Sequence, residues 1–255
     1  MLDAVTIRST LREVLRSGVE RVIQSNELAK TFACDPSLLS ERVLTRHWIE
    51  HVKRIRAFRP LDVRARQLLT KRNPAVAAVW GQYARSEAVH DRYFLRDLES
   101  VGLERSIVDA TLPFPSTVAL IRFMKGAMHE WGPLPGVLYS FWAEENSDAG
   151  SQAVVERARI AFGPDATRGA AAHRRLDETL DHPGLISDVL TAIIRTLTGL
   201  HEAAELLGAI TEFIGGYFAD LDVAAGIHLD REQEARHQDR IGKNEAGERV
   251  YKIAK

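Results

Sequence analysis

Apolar residues recur along this chain at spacings of three and four, and runs of alternating β-branched residues are absent. That periodicity predicts amphipathic helices throughout. Leu11, Val14, Leu15, Val19 and Val22 form one face of a first helix over roughly residues 4–32. Asp35-Pro36-Ser37 opens a second, which carries Leu39, Val43, Trp48, Val52 and Ile55, and Arg59-Pro60 marks a break. Asn73-Pro74 sets a capping side chain before a proline at the first helical position, starting a helix that reaches about Val101. Further helices are expected from Pro113–Ser116 to about Trp131, near 135–149, and from Gly163-Pro164-Asp165 to His182-Pro183-Gly184. A long apolar stretch then runs from Leu185 to about Leu221, with a bend expected near Gly199, Gly208 or Gly215-Gly216. Residues 229–255 lose the pattern and read as a charged, solvated tail. The expectation is one all-α domain over residues 1–228, built from seven or eight helices.

One stripe breaks the apolar rule. Trp80, Tyr83, Glu87, His90 and Phe94 step by three and four, which stacks them on one helical face. A charged group among aromatics is rarely buried unless it is paired or coordinates a metal. Two other segments supply matching polar residues. In the first, Leu138, Phe141, Trp142 and Glu145 share a face, with Glu144 a quarter-turn away beside Val137 and Ser140; Glu145 is the preferred candidate. In the second, His173 and Asp177 stand four apart on the side of Ala170 and Leu180. Carboxylates and imidazoles without thiolate suit iron or manganese, and helical bundles commonly hold two such ions with these residue types. Without metal, three facing carboxylates would repel and raise one another's pKa values.

Other polar residues have plainer readings. His47, Glu50 and His51 are expected on the surface, because Trp48, Val52 and Ile55 claim the apolar face of that helix. His201 is expected in the core near Leu197 and Ala204, as a satisfied histidine or a donor behind the site. A second E-x-x-H, Glu234 to His237, lies in the charged tail and reads as coincidence.

Composition narrows the classes. The 255 residues carry a formal net charge of −1, which does not suggest a nucleic-acid or membrane surface. Cys34 is the single cysteine, so neither an intrachain disulfide nor a multi-cysteine zinc site is available. The first residues show no basic segment followed by an apolar one, and no apolar run is long enough to span a bilayer, so a cytoplasmic protein is expected.

The residues of roughly 75–220 together resemble the heme-oxygenase-like di-iron oxidases and oxygenases. That family presents E-x-x-H on one core helix, a lone Glu after a Pro- and Gly-rich helix entry, and then H-x-x-x-D-x-x-H. Glu87 and His90 match the first element, Glu145 the second, and His173 and Asp177 the start of the third. The closing histidine would fall on Leu180; His182 comes two residues late and Asp181 lies nearer in angle. Three readings stay open there: an irregularity that brings His182 in, substitution by Asp181, or an incomplete second site.

The resemblance implies two Fe(II) ions per chain with O2 as co-substrate, held by Glu87, His90, Glu145, His173, Asp177 and His182. It implies oxidation of a small metabolite, an amino acid or amine, by N-oxygenation or oxidative C–C cleavage, and an external electron donor is compatible with it. Tyr83, Tyr139 and Trp142 would line the cavity, and Arg122 would anchor a substrate carboxylate. The alternatives are a fatty-acid-type oxidative decarboxylase on the same fold and a metal-free protein of that fold or a helical interaction protein. A ferritin-like reading lacks its second core E-x-x-H. Thiaminase-type chemistry would need Cys34 as nucleophile, without a recognisable partner. The long apolar helix offers a face for a homodimer.

Overall fold

The computed structural model describes residues 2–226, 241–243 and 249–251, and within these gives no side-chain account of 147–151, 174, 176–180 or the last two segments. Among the described residues the chain forms eleven α-helices: α1 (Ala4–Ser25), α2 (Glu27–Cys34), α3 (Glu41–Arg72), α4 (Pro74–Glu87), α5 (Asp91–Ser100), α6 (Arg105–Ala110), α7 (Pro115–Glu130), α8 (Leu134–Phe162), α9 (Arg168–Leu180), α10 (His182–Ile193) and α11 (Leu197–Ala225). A short antiparallel pair, β1 (Ile241–Lys243) with β2 (Arg249–Tyr251), follows inside the segment expected to be a tail. The rest of that segment, Glu234 and His237 included, lies outside the described residues. Among the described residues no helix is long and apolar enough to cross a membrane.

The excess over seven or eight helices comes from breaks that capping chemistry creates. Asn26 ends the first long helix and accepts from the Ala29 amide at 2.9 Å, starting α2. Thr196 does the same for α11, accepting from Gly199 at 3.0 Å, so the long apolar stretch divides at 194–196, ahead of the glycines expected to bend it. Pro60 has the opposite outcome. It sits exposed inside a continuous α3, whose packing against α4, α5, α7, α8 and α11 holds the helix through the lost hydrogen bond.

Two apolar clusters divide the interior. The larger gathers Phe58, Leu61, Ala65 and Leu69 of α3 with Trp80, Tyr83, Leu138, Phe141, Leu190 and Leu207. The smaller gathers Val43, Leu44, Trp48 and Val52 of α3 with Leu95, Leu98, Val154, Ala158, Tyr217 and Leu221. α3 and α8 pass from one cluster to the other and α4 meets α5 between them, and these crossings carry polar residues. These are His51 and Arg54 on α3, Glu87 and His90 at the α4–α5 junction, and Glu144 on α8. The candidate site is this seam.

Candidate metal centre

The stripe from Trp80 to Phe94 faces inward, but not as one straight helix. α4 ends at Glu87, and α5 begins at Asp91 after a turn over 88–90. Through this turn the amides of His90, Arg92 and Tyr93 bond to carbonyls three residues back, at 3.2, 3.0 and 3.1 Å. In a 3₁₀ geometry residues i and i+3 eclipse. His90 therefore lies directly over Glu87, with Nδ1 2.9 Å from Glu87 Oε2, and is fully buried. The break is fixed from outside by Asp91, an acid in the first turn of α5, which accepts from Arg56 Nε at 2.9 Å and from Arg59 Nη2.

α8 turns Glu144 into the seam. Its carboxylate is 8% exposed and accepts from the Tyr83 hydroxyl at 3.3 Å. Glu145, preferred from the sequence, points away from the seam, where it pairs with Arg8 at 3.1 Å and Arg12 at 2.7 Å on α1. The stripe could not separate the two because α8 is buried over a wide arc: Val137, Leu138, Ser140 and Phe141 are all inside.

The third contribution comes from the α9–α10 junction. Asp181 adopts a left-handed backbone (φ 46°) and is exposed, and its side chain accepts from the Gly184 amide at 3.2 Å as the cap of α10. That reversal, absent from a regular helix, brings the next residue, His182, to full burial. A helix irregularity at Asp181 thus sets His182, not Asp181, against Glu87 and Glu144. His182 Nδ1 stands 3.4 Å from Glu87 Oε1 and 3.5 Å from Glu144 Oε1. One ligand atom from each of Glu87, Glu144 and His182 lies within 4.8 Å of the others. The His173 ring packs 4.1 Å from that of His90, which is 6.1 Å from His182. The side chain of Asp177 and that of Leu180 lie outside the described residues.

Ser86 sets the tautomer of His182. Its hydroxyl donates to the Tyr83 carbonyl at 2.6 Å, so toward His182 Nε2, 3.0 Å away, it acts as acceptor. The Nε2 proton is thereby fixed, and in neutral imidazole Nδ1 is a lone pair facing two carboxylates. A cation between them, a proton or a metal ion, would make that arrangement favourable. Burial and the charges of Glu87 and Glu144 push the Tyr83 hydroxyl well up, so it stays a donor.

Asp62, on the far side of the α3 proline, was not signalled by any motif. Burial, then the charge of Glu87, raises its carboxyl to about 8 from an ordinary 3.8. A carboxyl raised in the fold stabilises it as the acid; that contribution is complete below pH 3.8 and is lost as pH rises through about 8. In metal-free protein Asp62→Asn is therefore expected to leave the melting temperature near the parent's at low pH and to raise it increasingly toward pH 8. Differential scanning calorimetry over that range checks it; a variant tracking the parent at every pH would mean that the Asp62 carboxyl is not raised by burial and the charge of Glu87.

The remaining candidates separate. Tyr83 and Glu144 are in contact, and Tyr139 stacks on Phe58 at 3.5 Å between ring centres, 6.4 Å from Trp142. Arg122 is exposed and lines a surface groove with Lys53, Thr117 and Lys125, outside the seam. His201 is also exposed, in a 3.3 Å pair with Glu205, because the apolar face of α11 turns the other way. The expectation for α3 reverses. Glu50 is fully buried, bonded to Arg46 and the Phe114 amide at 3.0 Å each. His47 bonds the Tyr217 hydroxyl and packs on His51 at 4.5 Å. Cys34 is exposed.

Neither a protein-family model nor a curated protein matches this chain. Among solved structures, it is similar to a domain of unknown function with a heme oxygenase-like fold from Shewanella denitrificans OS217. The two share 14% identity over 90% of this chain and 96% of that one, with a TM-score of 0.67. This chain has a heme oxygenase-like fold. At that identity the likeness concerns the path of the backbone, and the heme oxygenase-like scaffold hosts the buried carboxylate–histidine cluster as a feature of this chain's own residues.

Proposed function

We propose that this chain is a non-heme iron oxidoreductase that uses O2 to oxidise a small metabolite, an amino acid or amine. The observation that carries this reading is His182 Nδ1 directed at both Glu87 and Glu144 while Ser86 occupies Nε2. Glu87, Glu144 and His182 would hold one ion, and His90 and His173, which pack on each other beside them, would serve a second. Oxygen and nitrogen donors without thiolate fit iron or manganese. When bound, iron would supply the redox chemistry and the open positions that O2 needs.

The chain's own groups would then do the positioning. Tyr83 orients the Glu144 carboxylate, Ser86 orients His182, and Asp91 with Arg56 and Arg59 fixes the turn that aligns Glu87 with His90. Before any ion binds, Asp62 holds a proton beside Glu87 near neutral pH. Trp80 and Phe141, both buried, help keep bulk water out.

Anaerobic Fe(II) titration of the full chain tests the reading. Two equivalents taken up, a raised melting temperature, and O2 consumption stimulated by an amino acid or amine are expected. No uptake together with an unchanged melting temperature would mean that His182 carries a proton between the two carboxylates and that the seam is purely structural.

A further inference from the structure

α3 brings a second polar group to the seam, and it remains unused by the donor cluster. Arg54 lies at the crossing between the two apolar clusters, with its guanidinium carbon 5.3 Å from the centre of the Tyr217 ring and 6.0 Å from that of Trp142. Among the described residues its Nε is buried without a hydrogen-bond partner, and so is the indole Nε1 of Trp142. Two donors removed from water beside each other cost stability unless something accepts from them. No carboxylate among the described residues pairs directly with the Arg54 guanidinium, and Glu50 acts on it only from a distance. Glu50, one turn before it, is already committed to Arg46 and the Phe114 amide. Burial works against the charge, yet Tyr139, Tyr217 and Glu50 outweigh it and keep the guanidinium protonated. His47 and His51 stay neutral through burial and the neighbouring Arg54 charge, so they do not compete for an anion.

The position ties Arg54 to the metal cluster through a row of rings. His51 packs on Phe94 at 5.2 Å, Phe94 on His173 at 5.5 Å, and His173 on His90 at 4.1 Å. Trp142 is two residues before Glu144 on the same helix. The guanidinium bonds the Tyr139 side chain, yet its Nε–H remains to be satisfied; a carboxylate can take that donor, with a neighbouring N–H of the fork, and the indole N–H can add another.

We propose that Arg54 and Trp142 form a carboxylate-binding subsite that anchors an organic acid with its remaining atoms directed along the aromatic row toward Glu87 and His182. This role for the acid rests on the metal reading above; the binding itself does not. The shared chemistry is a single carboxylate on an apolar body, which an α-amino acid and an acyl chain both provide. Arg122, the residue the sequence offers for this task, is outside the seam.

The test is isothermal titration of the full chain, stripped of metal and desalted, with octanoate, octanamide, L-leucine and L-leucinamide. At least one acid is expected to bind about tenfold or more tightly than its amide. Octanoate alone would identify an acyl source, L-leucine alone an amino-acid source, and both together an unselective anchor. Arg54→Gln should remove the preference for the acid, and Arg54→Lys should restore only part of it, since an ammonium lacks the fork. Fe(II) uptake should survive both substitutions. If neither acid binds better than its amide in the parent protein, or Arg54→Gln binds the acid as tightly as the parent, the subsite is refuted. The parent comparison needs no variant and stands even where Arg54→Gln fails to fold. Acid binding with no iron uptake would sink the metal reading alone, and iron uptake with no acid preference would sink this one alone.

Discussion

Glu144→Gln is expected to abolish tight Fe(II) uptake, while Glu145→Gln leaves it intact. The two residues are neighbours of identical chemistry, so the pair isolates direction from composition. Glu144 is buried, accepts from Tyr83, and stands 3.5 Å from His182 Nδ1. Its amide would remove one of the two negative charges facing that nitrogen and turn an acceptor into a donor on one arm. Removing even a residue that merely supports a ligand commonly costs 10–100-fold in metal affinity. Loss of a direct donor should exceed that, taking the anaerobic titration from saturation to no measurable binding. Glu145 instead ties α8 to Arg8 and Arg12, whose side chains are 33% and 50% exposed. Such pairs contribute about 0–1 kcal/mol, so Glu145→Gln should lower the melting temperature by a few degrees at most. If Glu145→Gln lost iron and Glu144→Gln kept it, the orientation of α8 described above would be wrong.

Much of the site was legible as a pattern, and its failures share a cause. The Trp80–Phe94 stripe marked Glu87 and His90 because two ionisable groups in an aromatic row must be satisfied somewhere. Spacing alone could not show that the helix breaks between them. That break depends on Asp91 being clamped by Arg56 and Arg59, from a helix more than thirty positions away in sequence. His182 was out of register for a regular helix, and a single left-handed residue, Asp181, corrected it. The Glu144–Glu145 choice failed where amphipathicity loses meaning, on a helix buried over most of its circumference. On α3 the spacing of His47, His51, Arg54 and Phe58 was itself a readable stripe. It was hidden because Lys53 and Arg56 alternate with it and make the segment look like a basic surface. Asp62 carried no local signal: its burial is produced by tertiary packing beyond an exposed proline. The helix count erred for a simpler reason. Asn26 and Thr196 are strong caps placed inside runs whose apolar periodicity continues across the break.

The packing that presents His173 should be the least tolerant part of the molecule, and Gly169→Ala is expected to show it. α9 starts against α5, where Asp97, fully buried, accepts from the amides of Gly169 at 2.6 Å and Ala170 at 2.7 Å. These are two of the amides that the first turn of a helix leaves without intrahelical partners. A β-carbon at Gly169 would lie 2.0 Å from the Tyr93 carbonyl oxygen, 2.7 Å from its carbon and 2.8 Å from Asp97 Oδ1. Backbone, unlike the tip of a flexible side chain, cannot swing aside, so the helices must separate. Overpacking of this kind costs about 1–3 kcal/mol. Stretching the two bonds to Asp97 adds about 1.5–3 kcal/mol for a charged acceptor. Separation also draws His173 from its place 4.1 Å from His90 and 5.5 Å from Phe94, so iron stoichiometry should fall along with the melting temperature. Gly126→Ala on α7 supplies the opposite sign, since nothing among the described residues lies within 4 Å of the added carbon. There the gain in helix propensity should stabilise by roughly 0.5–1 kcal/mol. Thermal denaturation of both variants decides the matter: a Gly169→Ala protein as stable as its parent would mean that α5 and α9 do not approach this closely, and that His173 is positioned by something other than Asp97.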